Sequence, residues 1–306
     1  MKTPDVARAL KRLACPVLIV LGTTSLSSCG GGGGLFQVPI TSGNAAEIAS
    51  AAFGAFGFAL DMAEFFESFA DVIADGSGSS SEPCDSGGTV DTVVNDVAPL
   101  NQVSAGDSAS VAFSSCVFDF GGDLATFQGG LSIAVSQATI GPPPQASATL
   151  QLSFQNLSVQ VAGQTLTISG ALTLQTVTDA AGVVQTIVTG TSVRVVGQTV
   201  NGPVEVDLRD FRIERTTDPS TGEYSFTARG TIVDTTIGGS VAFETIDPFL
   251  GTDPDDPDEG QMVVSGGENS TLTITAVDSS TAHLDIDVDG DGTPDSSLDV
   301  DWSEIR

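Results

Sequence analysis

The chain has 306 residues and is strongly acidic, with 39 Asp and Glu residues against 10 Lys and Arg residues and a formal net charge of −29 at pH 7. A field of this sign repels phosphate backbones, so the composition excludes nucleic acid as a partner. The chain has a single His and a single Tyr. The usual general bases and nucleophiles are therefore scarce, which predicts that the protein is not an enzyme.

Residues 1–28 have the organisation of an export signal. Four basic residues precede an apolar run at residues 13–22 that is too short to span a bilayer. These basic residues are Lys2, Arg8, Lys11 and Arg12. The tetrapeptide Leu26-Ser27-Ser28-Cys29 follows. This order resembles the signal peptide and lipobox of bacterial lipoproteins, and the resemblance implies cleavage before Cys29 and lipidation of Cys29.

Residues 29–43 are predicted to form the lipidated cysteine and a glycine-rich tether, because Gly30 to Gly34 are five consecutive glycines. The multiply acylated cysteine of the lipoprotein class would anchor the chain to a membrane without spanning it. In that class an Asp after the cysteine commonly retains the protein in the inner membrane. Gly30 stands there instead, so the resemblance implies the outer membrane and leaves the periplasmic and surface-exposed faces both open.

The charge of the mature chain would be still more one-sided. Loss of residues 1–28 leaves six basic residues, all Arg, against 38 acids. From residue 241 to the end there are 17 acids and one base, Arg306. Such a surface gathers cations.

Residues 44–74 are predicted to form one Phe-rich helix, with Ser42 or Asn44 as its cap, because several apolar residues recur three or four positions apart. They are Ile48, Phe53, Phe56, Leu60, Phe65, Phe66, Phe69, Val72 and Ile73. Asp61 and Glu64 interrupt the apolar run before it reaches about 20 residues. A helix packed on the core is therefore favoured over a membrane span.

Residues 75–108 are predicted to be a linker, since the first half is rich in Ser and Gly and contains Pro83. Cys84 in this linker and Cys116 are the two cysteines that remain besides Cys29 in the mature chain. Two thiols in an oxidising exterior predict a disulfide. A metal pair is the less favoured alternative, because His283 is the only histidine.

Residues 109–306 are predicted to form an antiparallel β domain, because apolar and polar residues alternate with a period of two. The alternation slips by one residue between Phe154 and Leu157, and again between Leu208 and Phe211, 54 positions later. A β-bulge restores the apolar face after such a slip. Each slip lies in a strand followed by a turn and a further strand, which predicts two related long hairpins.

The predicted fold is mainly β, with long antiparallel hairpins in a curved sheet or open barrel and one N-terminal Phe-rich helix packed on it. A β-sandwich is the alternative. About a dozen strands are expected.

An Asp-rich segment near the C terminus resembles an EF-hand calcium loop. Asp287, Asp289, Asp291 and Gly292 match its positions 1, 3, 5 and 6, and the resemblance implies a carbonyl ligand from Thr293 and a further ligand from Asp295. Leu298 replaces the bidentate Glu, and the flanks alternate like strands, so a shorter calcium loop in a hairpin is expected. Asp285, Asp287, Asp299 and Asp301 would share an acidic face of that hairpin.

Two functions are consistent with these features. The first is a lipid-anchored cell-envelope protein with a structural or adhesive, non-catalytic role, stabilised by calcium. The alternative is a carrier or binding lipoprotein that holds an apolar ligand between the helix and the curved sheet. The predicted partners are the membrane, through the lipid, and either an envelope protein or an apolar ligand.

Overall fold

A computed structural model describes residues 36–55, 57, 77–97, 103–119, 124–140, 145–161, 163–199 and 202–305. The predicted signal peptide, residues 29–35 of the predicted tether, and residues 56 and 58–74 of the predicted helix lie outside these ranges.

Fourteen strands are present in the described part of the chain. The first seven are β1 (Gly78–Pro83), β2 (Thr89–Asn95), β3 (Ser108–Asp119), β4 (Leu124–Ile140), β5 (Ala146–Val161), β6 (Gln164–Thr178) and β7 (Val184–Thr199). The remaining seven are β8 (Gly202–Thr217), β9 (Glu223–Asp234), β10 (Gly239–Thr252), β11 (Glu259–Ser265), β12 (Thr271–Asp278), β13 (Thr281–Asp287) and β14 (Ser296–Asp301).

The strands form one sheet whose spatial order follows the sequence from β1 to β14, with each strand antiparallel to the next. The sheet is open, because β1 and β14 end the order rather than pairing with each other. Alternate side chains are buried along the strands, as in β2, where Val90, Thr92 and Val94 are buried and their neighbours are exposed. This alternation is what a period of two predicts for a sheet with one face on the core. The expected mainly β, antiparallel fold is confirmed.

Three of the register shifts along the described strands are bulges of one kind, and they lie in long strands. The two predicted slips are present, as register shifts between Phe154 and Leu157 and between Arg209 and Arg212. A third lies between Phe113 and Cys116. In each bulge one short polar residue has left-handed backbone angles, and these residues are Ser115, Asn156 and Asp210 with φ of 51°, 51° and 46°. Bulges of this kind increase local twist and curvature, so they account for a curved sheet.

The predicted linker at 75–108 is partly wrong, because β1 and β2 lie within it. β1 is almost wholly exposed and gains its structure from backbone pairing with β2, so its sequence carries no burial pattern. The disulfide prediction is confirmed. Cys84 follows β1 and is bonded to Cys116 in the β3 bulge, with Cα atoms 5.4 Å apart.

The N-terminal helix, α1, begins at residue 45 and is described as far as residues 55 and 57. Asn44 is its N-cap, since its carbonyl accepts the first helical bond from Ile48. Its side chain turns back and binds Thr41 and Pro39 instead of capping the first turn. A short helical turn, α2 (Trp302–Ile305), follows β14.

An aromatic cluster joins α1 to the sheet and to α2. The ring of Phe53 lies 5.3 Å from that of Phe249 on β10 and 5.0 Å from that of Trp302, measured between centroids. Phe226 on β9 stacks on Phe249 at 4.9 Å. Edge-on and offset contacts of this kind add to the free energy of burial. The helix therefore packs on the inner face of the sheet.

Residues 36–40, here named the strap, precede α1 in the sequence and cross one end of the sheet. The strap makes parallel bridges from Gln37 to Ser240 and from Pro39 to Gly267. Among the described helices, none combines the length and the apolar character that crossing a membrane would require.

Candidate metal centre

The Asp-rich segment connects β13 to β14 as a hairpin turn, here named the Asp turn (residues 287–295). The two strands pair in a register that places Leu284 opposite Leu298 and Ile286 opposite Ser296. The predicted hairpin is therefore present. Gly290 and Gly292 have φ of 74° and 86°, angles that residues with a Cβ rarely adopt.

Carboxylates of the Asp turn accept hydrogen bonds from its own backbone. Asp287 is buried and accepts from the amides of Gly290 and Gly292, both at 2.8 Å. Asp295 accepts from Val288 N at 2.8 Å and closes the turn. Each carboxylate oxygen has a second lone pair in addition to the one used here, so these bonds orient the oxygens without exhausting them.

Three carboxylates of the turn converge. One oxygen each from Asp287, Asp289 and Asp295 lies within 4.8 Å of the other two. Two oxygens that both bind a Ca²⁺ ion at about 2.4 Å can be at most about 4.8 Å apart. The group is thus compact enough to hold a metal ion.

The other predicted ligands are placed differently. Asp291 is outside the group of three, and its carboxylate accepts a hydrogen bond from Thr293 N at 2.7 Å. Short acidic side chains in turns often accept a hydrogen bond from the backbone amide two positions later, and this bond holds the Asp291 carboxylate. Ligation by the Thr293 carbonyl stays a prediction.

Asp285, Asp299 and Asp301 share one face of the hairpin, as predicted, but the predicted opposition of like charges needs a correction. Asp299 lies opposite His283, Asp285 opposite Ser297, and Asp301 opposite Thr281, so these acids do not face one another across the strands. Asp287, the last residue of β13, is buried and does not belong to the exposed acidic surface. The register brings acids to polar or basic partners, which lowers the repulsion that opposed carboxylates would cause.

His283 bridges two acids on this face. Its Nδ1 lies 2.6 Å from Asp299 Oδ1, and its Nε2 lies 3.2 Å from Asp285 Oδ1. The hydrogen bond to Asp299 and the nearby charge of Asp285 raise the pKa of the His283 imidazole. Sequence reasoning missed this cluster. A signal was available, because Asp285 is two residues from His283 and therefore on the same face of the strand.

The Asp turn is braced by the neighbouring turn between β11 and β12. Asn269 in that turn has φ of 64° and lies so close to Gly290 that a Cβ on Gly290 would approach the Asn269 Cβ to 2.6 Å. The same turn holds the strap, since Gly267 N donates to Val38 O at 2.8 Å. The Asp turn, the β11–β12 turn and the strap therefore lie together at one end of the sheet.

A shallow hollow of about 250 Å³ lies elsewhere, on the outer face of β2 to β5. Its lining includes Ser108, Ser110, Ser132, Gln151 and Ser153. The hollow is shallow and open, unlike the enclosed pockets that hold lipid-like ligands.

The comparisons with known proteins add no assignment, since the chain matches no protein-family model, no curated protein and no solved structure.

Proposed function

We propose that the chain is a lipid-anchored protein of the cell envelope with a structural or adhesive, non-catalytic role, stabilised by calcium. The contact between α1 and the sheet carries the structural part of this proposal. Phe53 fills that contact and packs against Phe249 and Trp302 at centroid distances of 5.3 and 5.0 Å. Filled aromatic contacts of this kind belong to a packed core.

A carrier role would need room for an apolar ligand between α1 and the sheet. The described part of that contact is occupied by aromatic rings, and the hollow on the outer face is shallow and open to solvent. Neither place suits an acyl chain, which prefers an enclosed apolar cavity. The structural role is therefore favoured over the carrier role.

The surroundings of His283 support a non-catalytic role. Both ring nitrogens are within hydrogen-bond distance of a carboxylate, from Asp299 and Asp285. The raised pKa favours the protonated imidazole, which has no free lone pair. A general base needs such a lone pair, so His283 is better suited to hold β13 and β14 together.

Calcium fits the donor set of the Asp turn. Its carboxylate oxygens are the hard ligands that Ca²⁺ prefers, and the group supplies three of the six to eight that Ca²⁺ takes. Backbone carbonyls and water would complete the shell. With so few side-chain ligands, we expect a dissociation constant of about 10⁻⁴ to 10⁻³ M, as in extracellular modules.

The anchor is tested by replacing the sulfur that would carry the lipid. Cys29→Ala should release the protein from membranes, whereas Cys15→Ala, which changes a cysteine of the predicted signal peptide, should leave it membrane-bound. Cell fractions are washed with high salt and probed for the protein. If Cys29→Ala stays with the outer membrane after the wash, the anchored role is overturned.

A further inference from the structure

We propose that the end of the sheet that carries the strap faces the lipid surface, and that Phe36 touches the head-group region as a second, non-covalent membrane contact. This inference rests on the proposed lipid anchor at Cys29. It adds a membrane-contacting surface and an orientation for the whole sheet.

The strap is held firmly at this end. Val38 N donates to Ser240 O and Ser240 N donates to Phe36 O, both at 3.0 Å. Ile40 N donates to the buried Ser270 Oγ at 2.7 Å. Since the backbone from Phe36 onward is bonded to β10 and to the β11–β12 turn, the position of Phe36 relative to the sheet is fixed.

The chain between the lipid and the strap is short. Phe36 is seven residues after Cys29, and seven residues reach at most about 25 Å when fully extended. β10 has 14 residues from Gly239, beside the strap, to Thr252 at the opposite end; at about 3.3 Å per residue it is about 46 Å long. If the strands stand perpendicular to the bilayer, the tether is too short for the end opposite the strap to reach the lipid. Only the strap end or a side of the sheet can therefore face the lipid.

An exposed aromatic ring distinguishes the strap end from the side, where the exposed apolar side chains of the described residues are aliphatic, as at Ile246, which is 55% exposed. Phe36 is 74% exposed, more than any other large hydrophobic residue described. Val288 in the neighbouring Asp turn is 37% exposed. Single exposed apolar residues are common on protein surfaces. An aromatic ring held within about 25 Å of a lipid anchor is, however, placed where aromatic side chains partition into the bilayer interface.

The orientation can be measured with single fluorophores on the lipidated protein. Three cysteine variants each carry one dye: Gln37→Cys on the strap, Ala180→Cys in the β6–β7 turn at the opposite end, and Ile246→Cys on the side of β10. Ile246 is 55% exposed, and the other two positions are exposed as well. Cys84 and Cys116 are bonded to each other and do not react with the dye.

The labelled proteins are reconstituted in vesicles of zwitterionic phospholipid, so that the acidic surface is not repelled by anionic lipid. A fraction of the lipid carries a nitroxide quencher on its head group. The dye at position 37 should be quenched several-fold more than the dyes at positions 180 and 246. Quenching at position 246 as strong as at position 37 would mean that the sheet lies flat, and equal quenching at all three would mean no fixed orientation; either result overturns the proposal.

Failure of the anchor is recognised separately. Vesicle flotation before the quenching measurement shows whether the protein is lipid-bound at all, and a protein that does not float overturns the anchor together with this inference. A protein that floats without preferential quenching at position 37 overturns the orientation alone.

The role of Phe36 has its own variant. Phe36→Ala should reduce the quenching of the position-37 dye, because the ring no longer holds the strap against the head groups. Ile246→Ala, which removes an exposed apolar side chain from the side of the sheet, is the matched control and should leave that quenching unchanged. Equal quenching in both variants would show that Phe36 makes no membrane contact.

Discussion

Asp287 illustrates how one residue can order the backbone of a turn that could hold a cation. Its two carboxylate oxygens accept hydrogen bonds from the amides of Gly290 and Gly292, so the backbone wraps around a buried carboxylate. Asp289 and Asp295 are exposed, and each places one carboxylate oxygen close to that of Asp287. Bringing three like charges together has a cost in free energy that a bound cation would remove.

The metal proposal predicts a calcium-dependent melting temperature. At about 10 mM Ca²⁺ and a dissociation constant of about 10⁻³ M, binding to the folded state alone stabilises it by about 1.4 kcal/mol. The melting temperature should then rise by a few degrees at constant ionic strength. Thermal unfolding of the mature domain in calcium and in chelator measures the rise.

Two substitutions of equal charge test which carboxylates take part. Asp289→Asn removes a member of the group of three and should abolish most of the rise, whereas Asp291→Asn removes a neighbouring acid outside the group and should preserve it. The same melting temperature in calcium and chelator for the unaltered domain would refute calcium binding. Equal losses in both variants would show that general acidity, and not the group, attracts the ion.

The surroundings of His283 predict a pH-dependent contribution to the free energy of unfolding. Its folded pKa is raised by the hydrogen bond to Asp299 and the charge of Asp285. Its pairing therefore stabilises the fold fully below the ordinary pKa of about 6.5 and is lost as the pH rises through the raised value. The group is 36% exposed, so solvent screening keeps the effect below about 1 kcal/mol.

The comparison of His283→Gln with the unaltered protein checks this sign. The variant should be less stable at pH 5, and the difference should shrink by pH 9. Denaturant unfolding at each pH gives the free energies. A difference that does not change with pH would show that the imidazole charge contributes nothing.

At the scale of the strand, the bulges explain how long hairpins curve. Asn156 carries the left-handed angle of the β5 bulge, and a methyl group on Gly129 of the adjacent strand would collide with the Asn156 carbonyl. Asn tolerates this conformation better than most residues because its short polar side chain can hydrogen-bond locally. The close approach of the two backbones is therefore built into both strands.

Substitutions at Asn156 test this account. Asn156→Ala should destabilise the domain by about 1 to 2 kcal/mol, because a Cβ without a polar group disfavours the left-handed region. Asn156→Gly should have little effect, since glycine adopts positive φ readily. Gln151→Ala, at an exposed position in the regular part of β5, is the control. If Asn156→Ala is as stable as Asn156→Gly, the left-handed backbone angle at position 156 does not limit stability and this explanation is refuted.

The sequence predicted the two bulges in β5 and β8 because the spacing of apolar residues changes from two to three there. The same change occurs from Phe113 to Cys116 in β3, so the third bulge was also readable. The strand β1 could not be predicted from the sequence. It is an exposed edge strand that pairs with the backbone of β2, and such a strand needs no apolar pattern. The nearness of the strap to the Asp turn was equally hidden, because residues 36–40 and 287–295 are distant in sequence and only the fold brings both against the β11–β12 turn.

At the scale of the whole molecule, one open sheet of consecutive hairpins carries the Asp turn and the strap at the same end. Most strand contacts are to the next strand along the chain, so the sheet resembles a repeating array more than a closed pocket. Such an architecture presents a long surface away from its attachment point. This arrangement suits the proposed structural or adhesive role on a membrane.

The proposed membrane anchor requires that Cys29 carries lipid, and intact-mass analysis of the protein purified from membranes measures this directly. The predicted mass is that of a chain beginning at Cys29 with acyl groups attached, and proteolysis should place the added mass on the peptide that contains Cys29. A mature chain that begins elsewhere, or a Cys29 peptide without added lipid, would contradict the proposed anchor.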